Sequence, residues 1–263
     1  PILATPNRLW GKSGQKYHSE FLELTAKNYG ASLTPLDYAA SPEAARKKIN
    51  DWVAEQTRQK ILDLMPEGSI NAQTDLVLTN AIYFKGSWIS PFEKKDTREE
   101  SFHPEGESFV QKPFLHQEGR FFYAETESFQ AVRLPYKGNE LAMTLLLPKP
   151  GKSLSLLTKE SFSLLGKAFM LQPVQVSFPK FRLEYRQQLE TLLPKLGMRL
   201  AFNPDAADFS GMRELKGGER LFISKVVHKA FVEVDEEGTE AAAATGVVVK
   251  VAVQVLMFRM KRQ

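Results

Sequence analysis

With 263 residues, 43% of them hydrophobic and 25% charged, the chain has enough apolar side chain for a sizeable core, and its net charge of +4 is too small for a disordered chain. Cysteine is absent, which excludes disulfides, thiol catalysis and cysteine-ligated metals within these residues. No apolar run approaches the ~18 residues that span a bilayer, and Pro1 to Trp10 lacks the charged-then-apolar layout of a signal peptide. In chain order, Phe21, Leu22, Leu24, Ala26 and Tyr29 recur at helical spacing and Gly30 ends them, which predicts an amphipathic helix. Ser41-Pro42-Glu43 opens another, with serine as N-cap and proline at the first position. Its apolar residues Ile49, Trp52, Val53 and Ile61 lie mainly on one face, and Pro66 and Gly68 are expected to stop it. Thr74 to Lys85 is a nearly continuous apolar, β-rich run, as in a central strand covered on both faces. Gly119–Tyr123, Gln130–Tyr136, Leu141–Leu147 and Val174–Leu183 read as further strands between Gly, Pro and Asn turns. A mixed α+β architecture in one domain follows, with no repeat and no linker.

The stretch Asp235 to Val249, DEEGTEAAAATGVVV, has the composition of a segment that can change conformation. Acidic Asp235, Glu236 and Glu237 lead into Gly238, which turns or hinges without steric cost. In a strand, Thr239, Ala241, Ala243 and Thr245 face one side, with Thr239 the first to point inward, while Glu240, Ala242 and Ala244 face the other. One face is thus uncharged and slim, so the segment can sit exposed as a loop or slide between two existing strands. The residues also allow a short helix, since alanine is the best helix former and Thr239 can cap one.

Enzyme chemistry finds little support. His18, His103, His116 and His228 form no metal-ligand pair at helical spacing, so no metal and no cofactor are expected. Gly11-Lys12-Ser13 and Gly151-Lys152-Ser153 lack the upstream glycines of a phosphate loop and read as turns. No GxSxG elbow occurs, although a triad assembled from distant residues is not excluded by sequence. Arg46-Lys47-Lys48 and Lys94-Lys95 read as solvated faces, and neither a nucleic-acid nor a membrane partner is expected.

Motifs spread along the chain resemble the serpin family of serine-protease inhibitors. Asn7-Arg8-Leu9-Trp10-Gly11 resembles its NRL(Y/W)G strand, and Phe21 to Ala31 the helix after it. Ile49-Asn50-Asp51-Trp52-Val53 with Thr57, Lys60, Ile61 and Leu64 is similar to its INxWVxxxTxxKIxxL helix. LVLTNAIYFKGSW from Leu76 to Trp88, followed by Pro91-Phe92, resembles the central-strand signature. Phe178-Pro179-Lys180-Phe181 resembles the FPKF strand. Phe209-Ser210-Gly211-Met212 and Ile223 to Ala230 then lead into the hinge in the family's order.

The resemblance implies a large mixed β-sheet with packed helices, a second sheet or barrel, and an exposed reactive-centre loop. It implies an inhibitor that is no enzyme: a target serine protease attacks the loop of a monomeric inhibitor as a substrate, and the cut loop inserts as a new strand before the acyl-enzyme hydrolyses. About 13 inserted residues at ~3.3 Å each would carry the tethered enzyme roughly 40 Å. Residues 236–258 are then hinge and loop, with the hinge at Glu236, Gly238, Thr239, Glu240, Ala241, Ala242, Ala243, Ala244 and Thr245. Asn80 and His228 match the family's shutter, and Trp88, Lys180 and Glu236 its breach, with Lys180 and Glu236 as a salt bridge worth about 0 to 1 kcal/mol if exposed. The family's register puts the scissile bond at Ala252–Val253, with Val251 one residue away. A small residue there suits an elastase-like or subtilisin-like partner. Arg259, Lys261 and Arg262 offer trypsin-like sites only with an unusually long loop. The window 251–258 is apolar for an exposed loop.

The family's first helices are expected before Pro1 and its closing strands after Gln263, so residues 1–263 read as an incomplete serpin domain. The resemblance favours an extracellular setting; the residues themselves assign no compartment. A non-inhibitory carrier or chaperone, or a non-functional fragment, is the alternative. Against the carrier, members of that kind tend to place bulky, charged or proline residues where Thr239 to Thr245 stand.

Overall fold

The computed structural model describes residues 1–103, 109–158, 163, 166, 168–216, 219–245 and 259–262. In chain order these form β1 (Ile2–Ala4), β2 (Asn7–Lys12), α1 (Ser19–Tyr29), β3 (Ser32–Leu36), α2 (Pro42–Gln56), β4 (Leu76–Ser87) and β5 (Arg98–Phe102). Then follow β6 (Val110–Glu125), β7 (Phe129–Pro135), β8 (Ala142–Pro148), β9 (Met170–Pro179), β10 (Phe181–Gln188), β11 (Val227–Val234), β12 (Gly238–Thr245) and β13 (Arg259–Arg262). They build two sheets. The first is seven-stranded in the order β10-β11-β12-β4-β2-β3, with β1 also on β4; the second is six-stranded in the order β13-β9-β6-β7-β8, with β5 on β6.

Strand β4 is central, with β12 along Asn80–Ser87 and β1 and β2 on its other edge. Its side chains alternate between two cores, as a period-2 strand requires. Thr79, Ala81 and Tyr83 are buried toward α2, in a cluster with Trp10, Tyr38, Ile49, Val53, Ile61, Phe231 and Ala242. Phe84 packs on the opposite side with Trp88, Leu115, Tyr136, Phe178 and Val234, between the two sheets. Full burial of one such aliphatic side chain, as for Ile49 at 0% exposure, contributes about 1.5–3 kcal/mol.

Two expectations about element boundaries are corrected. Helix α2 ends at Gln56, well before Pro66, because Arg58 and Gln59 take left-handed φ values of 50° and 63°. Ile61 still reaches the core, carried there by the turn that follows. Ser41 stands at the N-cap without a side-chain cap bond; Asp37 Oδ1 accepts from the Ala39 and Ala40 amides just upstream. The run Val174–Leu183 is two strands. Lys180 donates its amide to the Pro113 carbonyl, and there the chain leaves the second sheet as β9 and enters the first as β10, opposite Val234. An apolar run has no mark for a change of sheet. Helix α1 ends as expected at left-handed Gly30, but its buried residue is Thr25, while Leu24 and Tyr29 are exposed.

Candidate functional site: a hinge strand seated in the first sheet

Residues 238–245, most of the expected hinge, lie as strand β12 between β11 and β4. A turn starts it. Asp235 Oδ1 accepts the amides of Glu237 and Gly238 at 2.9 and 3.1 Å, and the Asp235 amide donates to the Gly238 carbonyl. β12 then runs antiparallel to both neighbours, Thr239 opposite Val234 and Gly86, and Thr245 opposite His228 and Asn80. Alanine's helix propensity, a few tenths of a kcal/mol per residue, loses here to two complete ladders. The short-helix alternative and an exposed loop over 238–245 are therefore not what this structure holds. Gly238 has no positive φ; it is needed because a Cβ there would overlap the Gly86 carbonyl oxygen. Its role in this arrangement is close approach, where the sequence suggested a turn.

At the Gly238 end of β12, polar groups converge on the turn. Trp88 donates its backbone amide to the Glu237 carbonyl at 2.9 Å and its indole Nε1 to the Asp235 carbonyl at 3.0 Å. Tyr136 stacks on Trp88 with centroids 4.7 Å apart, and its hydroxyl donates to Thr239 Oγ1 at 2.7 Å. Burial pushes the Tyr136 phenol up to about 12. Thr239 is 4% exposed.

Lys180 Nζ meets Glu236 Oε2 at 2.7 Å, and Thr97 donates to the other carboxylate oxygen at 2.9 Å. Burial alone would raise the Glu236 carboxyl, but these hydrogen bonds outweigh it and hold the group below its ordinary range. The pair is not an exposed one: the Glu236 side chain is 7% exposed and that of Lys180 34%. Losing one partner strands a buried carboxylate, which costs more than a surface pair contributes.

On the opposite face Glu240 accepts from the Tyr83 hydroxyl at 2.6 Å and pairs with Lys60 at 3.1 Å. Ala242 is fully buried beside Phe231 and Tyr83. Toward the lower end, Asn80 Nδ2 donates to Asn7 Oδ1 at 2.7 Å, and Asn7 in turn donates to the Tyr29 carbonyl. Asn80 and His228 flank Thr245 from the two neighbouring strands. Ala241, Ala243 and Ala244 complete the ladder.

Tyr136, Thr97, Asp235, Asn7, Lys60 and Tyr83 were not among the site residues expected from sequence. Asp235 acts locally, within its own turn; the other five are ordinary polar residues brought in only by the packing of distant elements. Ala252, Val253 and the apolar window 251–258 lie outside the described residues. Arg259–Arg262 forms β13, the edge strand of the second sheet, paired with β9 opposite Ser177 to Val174, which ties those basic positions into a ladder. Among the described residues no group of three or more His, Cys, Asp or Glu is placed to hold a metal ion, and no helix is long and apolar enough to cross a membrane.

This architecture has relatives. Serpin B6 of Bos taurus is 44% identical over 256 residues, covering 94% of this chain and 67% of the relative. Leukocyte elastase inhibitor A of Rattus norvegicus is 41% identical over 255 residues, covering 92% and 66%. Among solved structures, cleaved Serpin 42Da superposes with a TM-score of 0.86 at 36% identity, over 93% of this chain and 66% of that one. The chain thus spans about two thirds of the length of these relatives. Residues 1–262 match the family model described as Serpin (serine protease inhibitor), and the chain belongs to that family.

Proposed function

We propose that the protein is a suicide inhibitor of serine proteases that uses β12 as its inserting strand. The observation that carries this reading is the fit of Gly238–Ala242 to the slot between β11 and β4. Gly238 clears the Gly86 carbonyl, Thr239 meets the Tyr136 hydroxyl, and Ala242 fills the space beside Phe231 and Tyr83. A sheet that accepts this segment on both edges supplies the sink that a trapping reaction requires, because many ladder bonds of about 0.5–1.5 kcal/mol each, plus apolar burial, form at once.

In this reading the protease serine attacks the carbonyl of Ala252. An ester links the two proteins, and the amine of Val253 leaves with the proton handed on by the protease's histidine. The freed strand enters the sheet from Thr239 onward and carries the ester away before water cleaves it. Glu236 on Lys180 and Thr97, beside Trp88, gates the entry end, and Asn80 with His228 lies at the far end. A small residue at the scissile bond, and an elastase inhibitor among the relatives, support an elastase-like or subtilisin-like target.

The test is to incubate the full-length protein with neutrophil elastase and with subtilisin, and to follow a complex that survives boiling in detergent. Mass spectrometry should place the ester at Ala252 or its neighbour Val251. Clean loop cleavage with no covalent complex across such proteases would reject inhibition and leave a carrier-type serpin.

A further inference from the structure

Seating β12 brings two carboxylates face to face. Glu240 is the direct register partner of Glu233 on β11, with Lys85 opposite it on β4. Like charges directly across a strand pair are destabilising, so the Glu233–Glu240 contact opposes insertion unless cations offset it. Lys85, on the same rung, helps hold the Glu240 carboxyl below its ordinary range but stands two strands away from Glu233; the cation that spans both carboxylates comes from outside the sheet. After α2, left-handed Arg58 and Gln59 reverse the chain, and buried Thr57 holds the turn with its hydroxyl donating to the Val53 carbonyl at 2.8 Å and accepting the Ile61 amide at 3.2 Å. The turn lays Lys60 over the Phe231 ring, with its Nζ 3.1 Å from Glu240 and 3.4 Å from Glu233. Tyr83 donates to the second Glu240 oxygen, and the Arg58 guanidinium covers the Tyr83 ring at 5.0 Å. The Lys60 and Glu240 side chains are only 25% and 22% exposed, so solvent screens the bridge incompletely.

We propose that Lys60, assisted by Tyr83, is a positioning residue that captures Glu240 as β12 enters the sheet, turning a like-charge contact into a bridged one. Glu233 on β11 is available to Lys60 whether or not β12 is seated; the second carboxylate is gained only on insertion. The bridge therefore favours the inserted arrangement selectively. Its effect on the race with deacylation rests on the inhibitory reading above, whereas its effect on the stability of the inserted strand does not.

Both halves can be measured in the full-length protein as wild type, Lys60→Gln, Lys60→Arg, Glu240→Gln and the double variant Lys60→Gln/Glu240→Gln. The loop is first cut with a protease outside the target class, and the rise in Tm from uncut to cut protein is recorded. Lys60→Gln should lose about 2–4 °C of that rise, with the uncut protein as the control for general destabilisation. Lys60→Arg should keep the rise, and adding Lys60→Gln to Glu240→Gln should cost less than Lys60→Gln does alone. With elastase, Lys60→Gln should move the partition from complex to cleaved inhibitor by roughly three- to tenfold at an unchanged association rate. An equal Tm rise in wild type and Lys60→Gln, strictly additive effects of Lys60→Gln and Glu240→Gln, or no rise in the wild type each overturn the capture role. A coupled Tm effect without any covalent complex in the wild type would instead reject the inhibitory reading and retain the bridge.

Discussion

The two faces of β12 are held by opposite kinds of chemistry. Toward the space between the sheets, Thr239 sits 4% exposed beside the Trp88–Tyr136 stack, and its partner is a neutral phenol. Toward α2, Glu240 keeps its charge, because Lys60 and Tyr83 reach it from two different elements and its side chain retains 22% exposure. The dry face demands a slim, neutral side chain. The α2 face admits a charge, provided donors from outside the strand meet it. The seated strand therefore carries its carboxylate on the side where a lysine meets it.

The most severe test of this contrast is Thr239→Arg. An unpaired guanidinium buried against Tyr136 costs several kcal/mol. Insertion should stall, and the protein should become a substrate that is cut with turnover and forms little stable complex. Complex yield against elastase on a denaturing gel measures this, and an undiminished yield would mean the inward face is misassigned. Next in size is Gly238→Ala, where a methyl group meets the Gly86 carbonyl and the backbone has to move. A loss of about 1–3 kcal/mol is expected in the loop-cleaved protein, measured by denaturant unfolding.

A smaller effect is expected for Tyr136→Phe, which leaves the Thr239 hydroxyl buried without its partner at a cost of about 1–2 kcal/mol. Thr239→Val in the same background should recover part of it, since the hydroxyl that lost its partner is then gone. Failure of that rescue would show that Tyr136 acts through its stacking on Trp88 instead.

The mildest test is pH. Glu236 and Glu240 are both held below the ordinary 4.5. A depressed carboxyl contributes stability that is present above that value and lost as pH falls through the native pKa. Loss on the acid side should shrink in Glu236→Gln and Glu240→Gln. The neutral face behaves oppositely. Tyr136 is raised from 10.0 to about 12, so its contribution is present below pH 10 and is lost as pH rises toward 12. Tyr136→Phe should flatten part of that alkaline loss, and only part, because Tyr83 is raised to a similar value. Melting temperatures of the loop-cleaved protein between pH 3 and 11 would show both limbs, and a variant that changes the wrong limb would break the assignment of faces.

Much of the fold is legible in the residues. The apolar, β-rich run from Thr74 to Lys85, observed as the strand Leu76–Ser87, the Gly30 stop and the Pro42 start each follow from local composition and stereochemistry. The expected pairing of Lys180 with Glu236 came only through the family resemblance, since nothing local to a lysine after Phe178-Pro179 points to a carboxylate 56 residues on. Lys60 is visible in sequence only as a member of a helix motif and Tyr136 only as the end of a strand, with nothing to mark either as a contact of the hinge. Their roles depend on a phenol reaching across 103 residues to Thr239 and an ammonium across 173 residues to Glu233. The end of α2 is not legible because Arg58 and Gln59 adopt left-handed φ without a glycine, in a turn held by the Thr57 hydroxyl.

For the hinge, the sequence by itself determined the period: Thr239 on one side, Glu240 and Ala242 on the other, with nothing bulky between. It did not determine the state. Gly-Thr-Glu-Ala-Ala-Ala-Ala-Thr suits a loop, a short helix or a strand, because small side chains penalise none of them. Tertiary structure made the choice. Strands β11 and β4 stand where an eight-residue strand completes two ladders, and Tyr136, Lys60 and Tyr83 meet the side chains of Thr239 and Glu240 from elements far away in the chain. Hydrogen bonds to such non-local partners are invisible to local propensity, and here they outweigh it.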